Sequence, residues 1–223
     1  MKVAVLQFPG TNCEFDAKYA FTKLGCDVEV IWHKDTKLPD STHLVVVPGG
    51  FSYGDYLRSG AIARFANIME DVKKFASNGG KVLGICNGFQ ILLEAGLLPG
   101  AMKRNDTLHF ISKYHHLKVI DNNNEFLRLL NVGDVVNIPV AHHDGNYYID
   151  EVGLKELEAN NQILLKYCTK DGEVTNMNGS VSNIAGICNK ERNVFGLMPH
   201  PERAIEEILG STDGVNMLKG LLK

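Results

Sequence analysis

A short buried strand that turns directly into a helix around a cysteine is the feature that most constrains this chain. Residues 82–85 form an apolar run that predicts the strand, and residues 87–94 predict the helix. Gly84 and Gly88 flank Cys86 in the Gly-x-nucleophile-x-Gly spacing of a nucleophile elbow, with Cys in the place of Ser. So tight a reversal strains the backbone at the nucleophile and leaves no space for neighbouring side chains, so glycine is needed on both sides.

Two interpretations of Cys86 are open at this point. The helix that follows presents unpaired N–H groups at its N-terminus, and these favour the thiolate form and therefore a nucleophile. The alternative is a structural cysteine of the core, because free cysteines are among the most buried residues. Two flanking glycines at a strand-to-helix junction favour the nucleophile.

Composition restricts the setting in which such a protein works. The chain has 223 residues, 44% of them hydrophobic, which predicts one globular domain over residues 1–223. A net charge of −3 provides no basic field for nucleic acid, and the five cysteines form no C-x-x-C pair. The first residues are too short an apolar run for a signal peptide, and no segment approaches the about 20 apolar residues of a membrane span. We therefore expect a cytoplasmic protein with reduced thiols, and no binding to nucleic acid or membrane.

The first half of the chain alternates predicted strands with predicted helices. Strands are predicted at residues 3–8, 28–31, 44–47 and 82–85, with helices at 15–24, at 62–75 and from 87. After residue 100 the predicted elements are strands at 107–111, 115–120, 135–140, 163–168, 184–188 and 194–198, and helices at 151–159 and 215–222. The alternation with short loops predicts an α/β fold with a doubly wound, mostly parallel sheet flanked by helices.

His200 is the histidine that best fits a catalytic base for Cys86. It follows the last predicted buried strand, and in doubly wound sheets binding sites collect beyond the carboxyl ends of strands. Pro201 favours an extended conformation at His200, so His200 and Glu202 are expected to project to the same side. Glu202 would then orient the imidazole and stabilise its charged form. The alternative is a surface turn with a solvated carboxylate.

Acyl chemistry also requires donors for the oxyanion that develops in the transition state. The backbone N–H of Asn87, directly after the nucleophile, is one candidate. Gly50, in the Pro-Gly-Gly sequence that ends the strand at residues 44–47, is the second, because a backbone without side chains approaches a ligand closely. An ordinary strand-ending turn is the alternative for this segment.

No resident metal or nucleotide site is predicted. The adjacent residues His142, His143 and Asp144 suggest metal ligands, but neighbouring strand side chains point to opposite faces, and no spaced His or Cys completes a shell. The chain also lacks a Walker loop and a G-x-G-x-x-G sequence.

Taken together, these residues resemble the class I, or triad, glutamine amidotransferases, a family with a flavodoxin-like fold. The resemblance rests on GICNGFQ at residues 84–90, on His200-Pro201-Glu202, and on PGGFSYGD at residues 48–55. The PGGFSYGD block and Asn87 narrow the resemblance to one branch of this family. In that branch the partner synthetase converts formylglycinamide ribonucleotide to its amidine in purine biosynthesis. The similarity extends from the first strand to the end of the chain.

The resemblance implies a role for each matching residue. Cys86 attacks the side-chain amide of L-glutamine and forms a γ-glutamyl thioester, while His200, oriented by Glu202, transfers the protons. Gly50 and Asn87 supply the oxyanion N–H groups, and Gln90 and Phe110 bind the substrate.

Two positions depart from the family pattern. The family has Arg-Phe after an Asn, whereas this chain has His109 and Phe110 after Asn105, so the backbone contacts of that segment are carried over and the Arg contacts are not. The family also commonly has Ala-His-Gly-Glu-Gly where this chain has AHHDG at residues 141–145, so His142 is carried over only weakly.

The resemblance also implies partners. A large synthetase subunit binds ATP, Mg²⁺ and formylglycinamide ribonucleotide, a small subunit bridges the two proteins, and this chain holds no cofactor itself. Three other functions remain as alternatives: a glutaminase for another synthetase, a different cysteine hydrolase on a related α/β sheet, and a non-catalytic assembly subunit. Loss of Cys86, His200 or Glu202 would indicate the last of these, and all three are present.

Overall fold

Strands and helices alternate through the first half of the chain, and strands dominate the second half. The computed structural model describes all residues from 1 to 223. The strands are β1 (Lys2–Gln7), β2 (Asp27–Trp32), β3 (Thr42–Val47), β4 (Lys81–Ile85), β5 (Ala101–Lys103), β6 (Ile111–Val119), β7 (Val135–His142), β8 (Asn146–Tyr148), β9 (Ile163–Cys168), β10 (Ile184–Cys188) and β11 (Val194–Leu197). The helices are α1 (Glu14–Lys23), α2 (Asn67–Ser77), α3 (Asn87–Glu94), α4 (Glu151–Ala159) and α5 (Gly214–Gly220).

A nine-stranded sheet in the order β2-β1-β3-β4-β11-β10-β9-β6-β7 forms the centre of the molecule. The strands from β2 to β11 pair in parallel, and the remaining strands are added with antiparallel pairings, so only β10 and β6 run against the others. The order reverses between β1 and β3, where ligand sites of doubly wound sheets occur. The predicted fold class is therefore the observed one, with α1 packed on β1 and β2, and α2 and α3 packed on β4.

The central strands are buried because their sequences are apolar on both faces. Residues 3–6 of β1 and residues 44–47 of β3 are fully inaccessible to solvent. Such continuous runs of Val, Leu and Ala are typical of parallel strands covered by helices on both sides. One connected core cluster joins these strands to the helices and to the antiparallel half of the sheet.

Three adjacent parallel strands bring the predicted site together. In the sheet register, Gly84 of β4 pairs with Val47 of β3 on one side and with Gly196 of β11 on the other. The carboxyl ends of these strands lie at one edge of the sheet because the strands are parallel. The segments that follow them therefore meet there, and they contain Gly50, Cys86 and His200.

The helix predicted at residues 62–75 begins later than its apolar pattern indicates. Residues 63–65 form a short 3-10 turn, Ala66 is extended with ψ 144°, and α2 starts at Asn67. Ile68 donates its N–H to the carbonyl of His33 at 3.4 Å, so a neighbouring segment satisfies part of the first turn of α2. This tertiary contact outweighs the local pattern, and Phe65 is left exposed.

The strand predicted at residues 107–111 is wrong. A turn occupies residues 107–110, because Leu108 has φ 57° and donates its N–H to the carbonyl of Asn105 at 2.9 Å. The strand predicted at residues 115–120 begins at Ile111 instead and forms the single long strand β6. The small antiparallel sheet of β5 and β8 was not predicted, since three-residue strands carry almost no periodicity. None of the five helices is both long and apolar enough to cross a membrane.

Candidate active site

Cys86 occupies the strained turn that the glycine spacing predicts. Its backbone has φ 51° and ψ −108°, between the last residue of β4 and the first residue of α3. The segment is fixed on both sides, since Cys86 donates its N–H to the carbonyl of Leu197 at 2.8 Å and accepts from Gln90 N–H at 3.2 Å. A positive φ at a buried non-glycine residue persists only where the surrounding structure holds it.

Gly88 is required because α3 packs directly on the end of β3. A Cβ atom at Gly88 would lie 1.7 Å from the carbonyl oxygen of Val47. We expect Gly88→Ala to lower the free energy of unfolding by about 3 kcal/mol or more, because the backbone of α3 or β3 must move. Urea denaturation measures this change. Gly153→Ala is the matched control, since a Cβ there meets side-chain atoms of Ile149 and Asp150 and no backbone, and a loss as large as that of Gly88→Ala would contradict this explanation.

The ends of β3, β4 and β11 pack closely around Gly49. A Cβ atom at Gly49 would lie 2.8 Å from Cε1 of His200, 3.1 Å from Sγ of Cys13 and 3.4 Å from Cβ of Cys86. The cysteine predicted as nucleophile and the histidine predicted as base are therefore on either side of the same glycine. Any side chain at Gly49 would force them apart.

His200 and Glu202 form a buried pair. Nδ1 of His200 lies 2.7 Å from Oε1 of Glu202, and the two residues are 1% and 2% exposed. The backbone N–H of His200 donates to the carbonyl of Pro139 at 2.8 Å, which fixes the turn. With Nδ1 engaged by the carboxylate, Nε2 is the ring nitrogen available to Cys86, as a Cys-His-carboxylate arrangement requires.

The charges around His200 favour its protonated form. Burial opposes the imidazolium, but the carboxylate of Glu202 and the sulfur of Cys86 outweigh that effect and raise the pKa of His200 above its ordinary value. A protonated imidazole beside a thiolate is the resting state that cysteine nucleophiles commonly use.

The two expected oxyanion donors lie on either side of the nucleophile. Asn87 is the first residue of α3, so its N–H has no acceptor within the helix. Gly50 has φ 144°, and a Cβ atom there would lie 2.8 Å from Cα of Thr11, so only glycine fits. The side chain of Asn87 accepts from Ser52 N–H at 3.0 Å and donates to Asp55 at 3.1 Å, and these bonds connect the two donor segments.

A cavity of about 420 Å³ opens directly over Cys86. Its walls include Gly50, Gln90 and Asp144, together with the exposed side chain of Leu57 at the mouth. Gln90 is held in place by donating its Nε2–H to the carbonyl of Asp144 at 2.6 Å and by accepting from Asn87 at 2.9 Å. A volume of this size accommodates a free amino acid.

Phe110, the predicted substrate-binding residue after His109, does not line this cavity, and neither do Asn87, His200 and Glu202. The side chain of Phe110 is half exposed, directly before Ile111, which pairs with His142 across β6 and β7. The buried Asn105 fixes this segment, because its Nδ2 donates to the carbonyls of His109 at 2.9 Å and His142 at 3.0 Å. Asn105 thus ties this segment to His142, which lines the cavity, and the backbone contacts of Phe110 with the substrate stay a prediction.

His142 is a buried neighbour of the cavity. Its Nδ1 lies 3.1 Å from Oδ1 of Asn105, and burial lowers the pKa of His142 to about 4, with a further contribution from His200. The imidazole is therefore neutral, and it packs against the glycine that follows Asp144.

One group of side chains has the spacing of metal ligands. Donor atoms of Cys13, His200 and Glu202 lie within 4.8 Å of one another. A cation already neighbours this group, however, because Nη2 of Arg203 donates to Sγ of Cys13 at 3.0 Å. Burial also raises the pKa of the Cys13 thiol to about 12, and His200 is engaged with Glu202, so this arrangement suits a protein ion-pair network better than a metal.

The charged residues that line the cavity were not predicted from the sequence. They are two carboxylates, Asp55 and Asp144, and two guanidinium groups, Arg58 and Arg104. Arg58 is neutralised by a bidentate pair with Glu94 at 2.6 and 2.7 Å, whereas Arg104 forms no ion pair. These residues come from three segments of the chain that meet only in the fold, so spacing along the chain gives no signal; the family blocks containing Asp55 and Asp144 were the hints.

Comparison with known proteins identifies the family. A model of the CobB/CobQ-like glutamine amidotransferase domain matches residues 1–215. The chain belongs to this family. It is 68% identical over 223 residues to the phosphoribosylformylglycinamidine synthase subunit PurQ of Sulfurimonas denitrificans, with all of both chains covered. It is 63% identical over 221 residues to the subunit of the same name from Wolinella succinogenes, with 99% of each chain covered.

Solved structures agree with this assignment. The chain is similar to a chain of PurLQS from Thermotoga maritima, with 41% identity and a TM-score of 0.89, covering 99% of this chain and 97% of that one. The glutaminase domain of Trypanosoma brucei CTPS with bound acivicin gives 11% identity and a TM-score of 0.62, covering 100% and 94% of the two chains, which is a likeness of fold alone. The family predicted from the elbow and the fold class predicted from the strand pattern are thus confirmed.

Proposed function

We propose that this chain is the glutaminase subunit of a phosphoribosylformylglycinamidine synthase, which hydrolyses L-glutamine at Cys86 and delivers the ammonia to a synthetase subunit. The observation that carries the proposal is the strained Cys86 beside the buried pair of His200 and Glu202, at the base of a cavity the size of an amino acid. The full-length relatives named as subunits of that synthase support the choice of pathway.

The first half-reaction forms the thioester. The sulfur of Cys86 attacks the carbonyl carbon of the glutamine side-chain amide, and the carbonyl oxygen becomes an oxyanion that the N–H groups of Gly50 and Asn87 stabilise. His200, holding the proton from the thiol, passes it to the amide nitrogen. The C–N bond then breaks, ammonia leaves, and a γ-glutamyl thioester remains on Cys86.

The second half-reaction releases glutamate. His200, now neutral, takes a proton from a water molecule that attacks the thioester carbon. The C–S bond breaks, and the proton returns to the sulfur of Cys86 or stays on His200. Glu202 stabilises the imidazolium in both steps, because its carboxylate lies 2.7 Å from Nδ1.

The charges of the cavity suit the two ends of a free amino acid. Asp55 and Asp144 provide negative charge for the α-ammonium group, and Arg104 provides an unpaired cation for the α-carboxylate. Gln90, one helical turn after the nucleophile, contributes its side chain, and Phe110 contributes backbone groups at the border of the cavity. We therefore expect a free glutamine to be preferred to a glutamine within a peptide, which has neither charge.

Binding of the ammonium group requires Asp55 to be ionised. Burial, and then the charge of Asp144, raise the pKa of Asp55 to about 6. As the pH falls through 6, Asp55 gains a proton and loses its attraction for the cation, so we expect KM for glutamine to rise. Asp55→Asn should raise KM about tenfold at neutral pH and remove this pH dependence. Steady-state kinetics over this pH range, with the surface variant Asp40→Asn as control, test the expectation; a KM that is independent of pH in the wild type would contradict it.

Several properties of the assembly belong to the same proposal. Residues 1–223 form a single amidotransferase domain that holds no cofactor, and ATP and Mg²⁺ bind to the large synthetase subunit. A small subunit bridges the two, and the complex is cytoplasmic. The lack of a phosphate-binding loop in this chain and the name of the neighbour PurLQS support this division of labour.

Assays of ammonia release test the function directly. We expect the isolated chain to hydrolyse glutamine at least about tenfold more slowly than the complex with the synthetase subunit, ATP and formylglycinamide ribonucleotide. The reason is that residues 53–55 have positive φ angles and Phe51 and Tyr56 are exposed at the same loop, which a docked partner would order. Equal rates under matched conditions would contradict the coupling.

The same assay separates the alternatives. Glutamine-dependent amidine formation supports the proposal, whereas hydrolysis without transfer to formylglycinamide ribonucleotide indicates another synthetase as partner. A complex that uses free ammonia but never glutamine would indicate a non-catalytic assembly subunit.

A further inference from the structure

We infer that His33 and Tyr53, which lie outside the cavity, are positioning residues that hold the oxyanion loop, defined as residues 50–56, in its working conformation. The inference rests on the proposed glutaminase activity and assigns a role to two residues that the mechanism does not use. The geometry that supports it is a side-chain contact between the end of β2 and the most strained part of this loop.

The backbone of the loop does not favour its own conformation. Tyr53, Gly54 and Asp55 have φ angles of 53°, 67° and 52°, three consecutive residues in the left-handed region. Glycine adopts that region readily, but a tyrosine and an aspartate do so only when other contacts hold them. Those contacts act together with the backbone bridge between Gly50 and Thr11 to orient the N–H of Gly50.

Backbone contacts hold the inner side of the loop. Phe51 N–H donates to the carbonyl of Gly10 at 3.0 Å, and Tyr53 N–H donates to the carbonyl of Pro9 at 2.6 Å. On the outer side, the side chains of Phe51 and Tyr56 are exposed and provide no anchor. Tyr53 is different, because its hydroxyl lies 2.6 Å from Nδ1 of His33.

His33 is itself rigidly placed. It directly follows β2, donates its N–H to the carbonyl of Gln7 at 2.9 Å, and is 8% exposed. Its ring is packed edge-on against Trp32, at 4.5 Å between centroids, and against Tyr53, at 5.5 Å. Burial, and then Lys34, lower the pKa of His33, so the contact is a hydrogen bond between a neutral imidazole and a phenol.

Loss of the hydrogen bond between Tyr53 and His33 would change the orientation of Gly50 more than the affinity for the substrate. The Tyr53 side chain would no longer oppose relaxation of the left-handed segment. Gly50, three residues earlier, would then be held by its backbone bridge to Thr11 without support from the loop that follows it. Asp55 is held independently by Nδ2 of Asn87 at 3.1 Å, so the proposed contact to the substrate ammonium is retained. Neither His33 nor Tyr53 lines the cavity over Cys86.

Single-turnover kinetics test this role in the full-length chain, alone and with the synthetase subunit. We expect Tyr53→Phe and His33→Leu each to slow formation of the γ-glutamyl thioester about tenfold. The oxyanion donor acts mainly on the transition state, and a misdirected donor stabilises it less. The affinity for glutamine, measured in a Cys86→Ala background, should change less than about threefold. The double variant should be no slower than either single variant, since both remove one bond.

Two further variants make the result specific. His33→Asn places an amide near the position of Nδ1 and should recover part of the rate lost in His33→Leu. Tyr19→Phe removes a hydroxyl that donates to Glu206 on the surface and should leave the rate unchanged. Thermal unfolding of each variant shows whether the fold is retained.

The outcomes separate the inference from the proposed function. If the wild type is active and Tyr53→Phe behaves like Tyr19→Phe, or if the two single effects multiply in the double variant, the inference is overturned and the proposed function stands. A wild type without glutaminase activity, even in the assembled complex, overturns the proposed function and this inference with it.

Discussion

Cys86→Ala is expected to reduce glutamine hydrolysis by about 10⁵-fold or more, to the level of the uncatalysed background. The thiol forms the acyl intermediate, so no remaining group of the cavity can replace it. Cys86→Ser should be nearly as inactive, because a hydroxyl is far harder to ionise beside the same imidazole. Ammonia release under saturating glutamine measures the rate, and trapping of radiolabelled glutamine after acid quench measures the thioester.

Cys13, the second buried thiol close to His200, provides the most demanding control. Sγ of Cys13 lies within the group of side chains that surrounds His200, but burial raises the pKa of Cys13 to about 12 and keeps it protonated. Cys13→Ala should therefore retain thioester formation, as should replacement of the distant Cys26, Cys168 or Cys188. A Cys86→Ala variant with substantial glutaminase activity and an intact fold would remove the basis of the proposed mechanism.

In the proposed synthase complex, Cys86→Ala can also separate the activity of this chain from that of the synthetase subunit. The fold should be retained, because the smaller side chain fits the space of the thiol, and the complex should still use ammonia added to the solution. Loss of the glutamine-dependent reaction with retention of the ammonia-dependent one separates the chemistry of this chain from that of its partner. Loss of both reactions would show instead that Cys86 is needed for assembly.

The elements with strong local signals could be predicted from the sequence. The elbow was predictable because a strained turn leaves only glycine on either side of the nucleophile, as the 1.7 Å approach of a Cβ at Gly88 to Val47 illustrates. The predicted bounds of α4, β9 and β10 coincide with the observed ones, since each has a clear apolar pattern and polar flanks. Prediction was less accurate at residues 62–66, next to the bond that Ile68 N–H donates to the carbonyl of His33. It was also less accurate at residues 107–110, where the backbone and side chain of Asn105 hold a turn.

The site residues also differ in how far the sequence alone could predict them. The position of Cys86 followed from its flanking glycines. The pairing of His200 with Glu202 was predicted from an extended segment, but Glu202 lies in a 3-10 turn at Pro201–Arg203, and the two side chains meet through that turn. The cavity walls required the fold, because Asp55, Arg104 and Asp144 lie in three loops that meet only when the sheet forms. Phe110 came from the family resemblance alone, and the structure gives it a half-exposed side chain that does not line the cavity.

Glu202→Gln is expected to lower turnover by about two to four orders of magnitude, with a smaller change in KM. Gln keeps the size of the side chain and still accepts a hydrogen bond from Nδ1 of His200, but it lacks the negative charge. That charge stabilises the imidazolium most strongly as the proton moves onto His200, so its loss affects the transition state more than the bound substrate. The loss should be smaller than for Cys86→Ala, because Glu202 does not touch the reacting carbon.

For Glu202→Gln, the direction in which the pH profile of kcat should move can also be predicted. The carboxylate of Glu202 helps to raise the pKa of His200, so its removal should lower that pKa. Protonated His200 is the acid that releases ammonia, and in the variant it loses its proton at a lower pH. The alkaline limb of the kcat profile should therefore move to lower pH. Glu206→Gln removes a carboxylate paired with Lys23 on the surface and should leave the profile unchanged. An unchanged turnover and pH profile in Glu202→Gln would mean that His200 is oriented by its backbone bond to Pro139 alone, and the site would act as a Cys-His dyad.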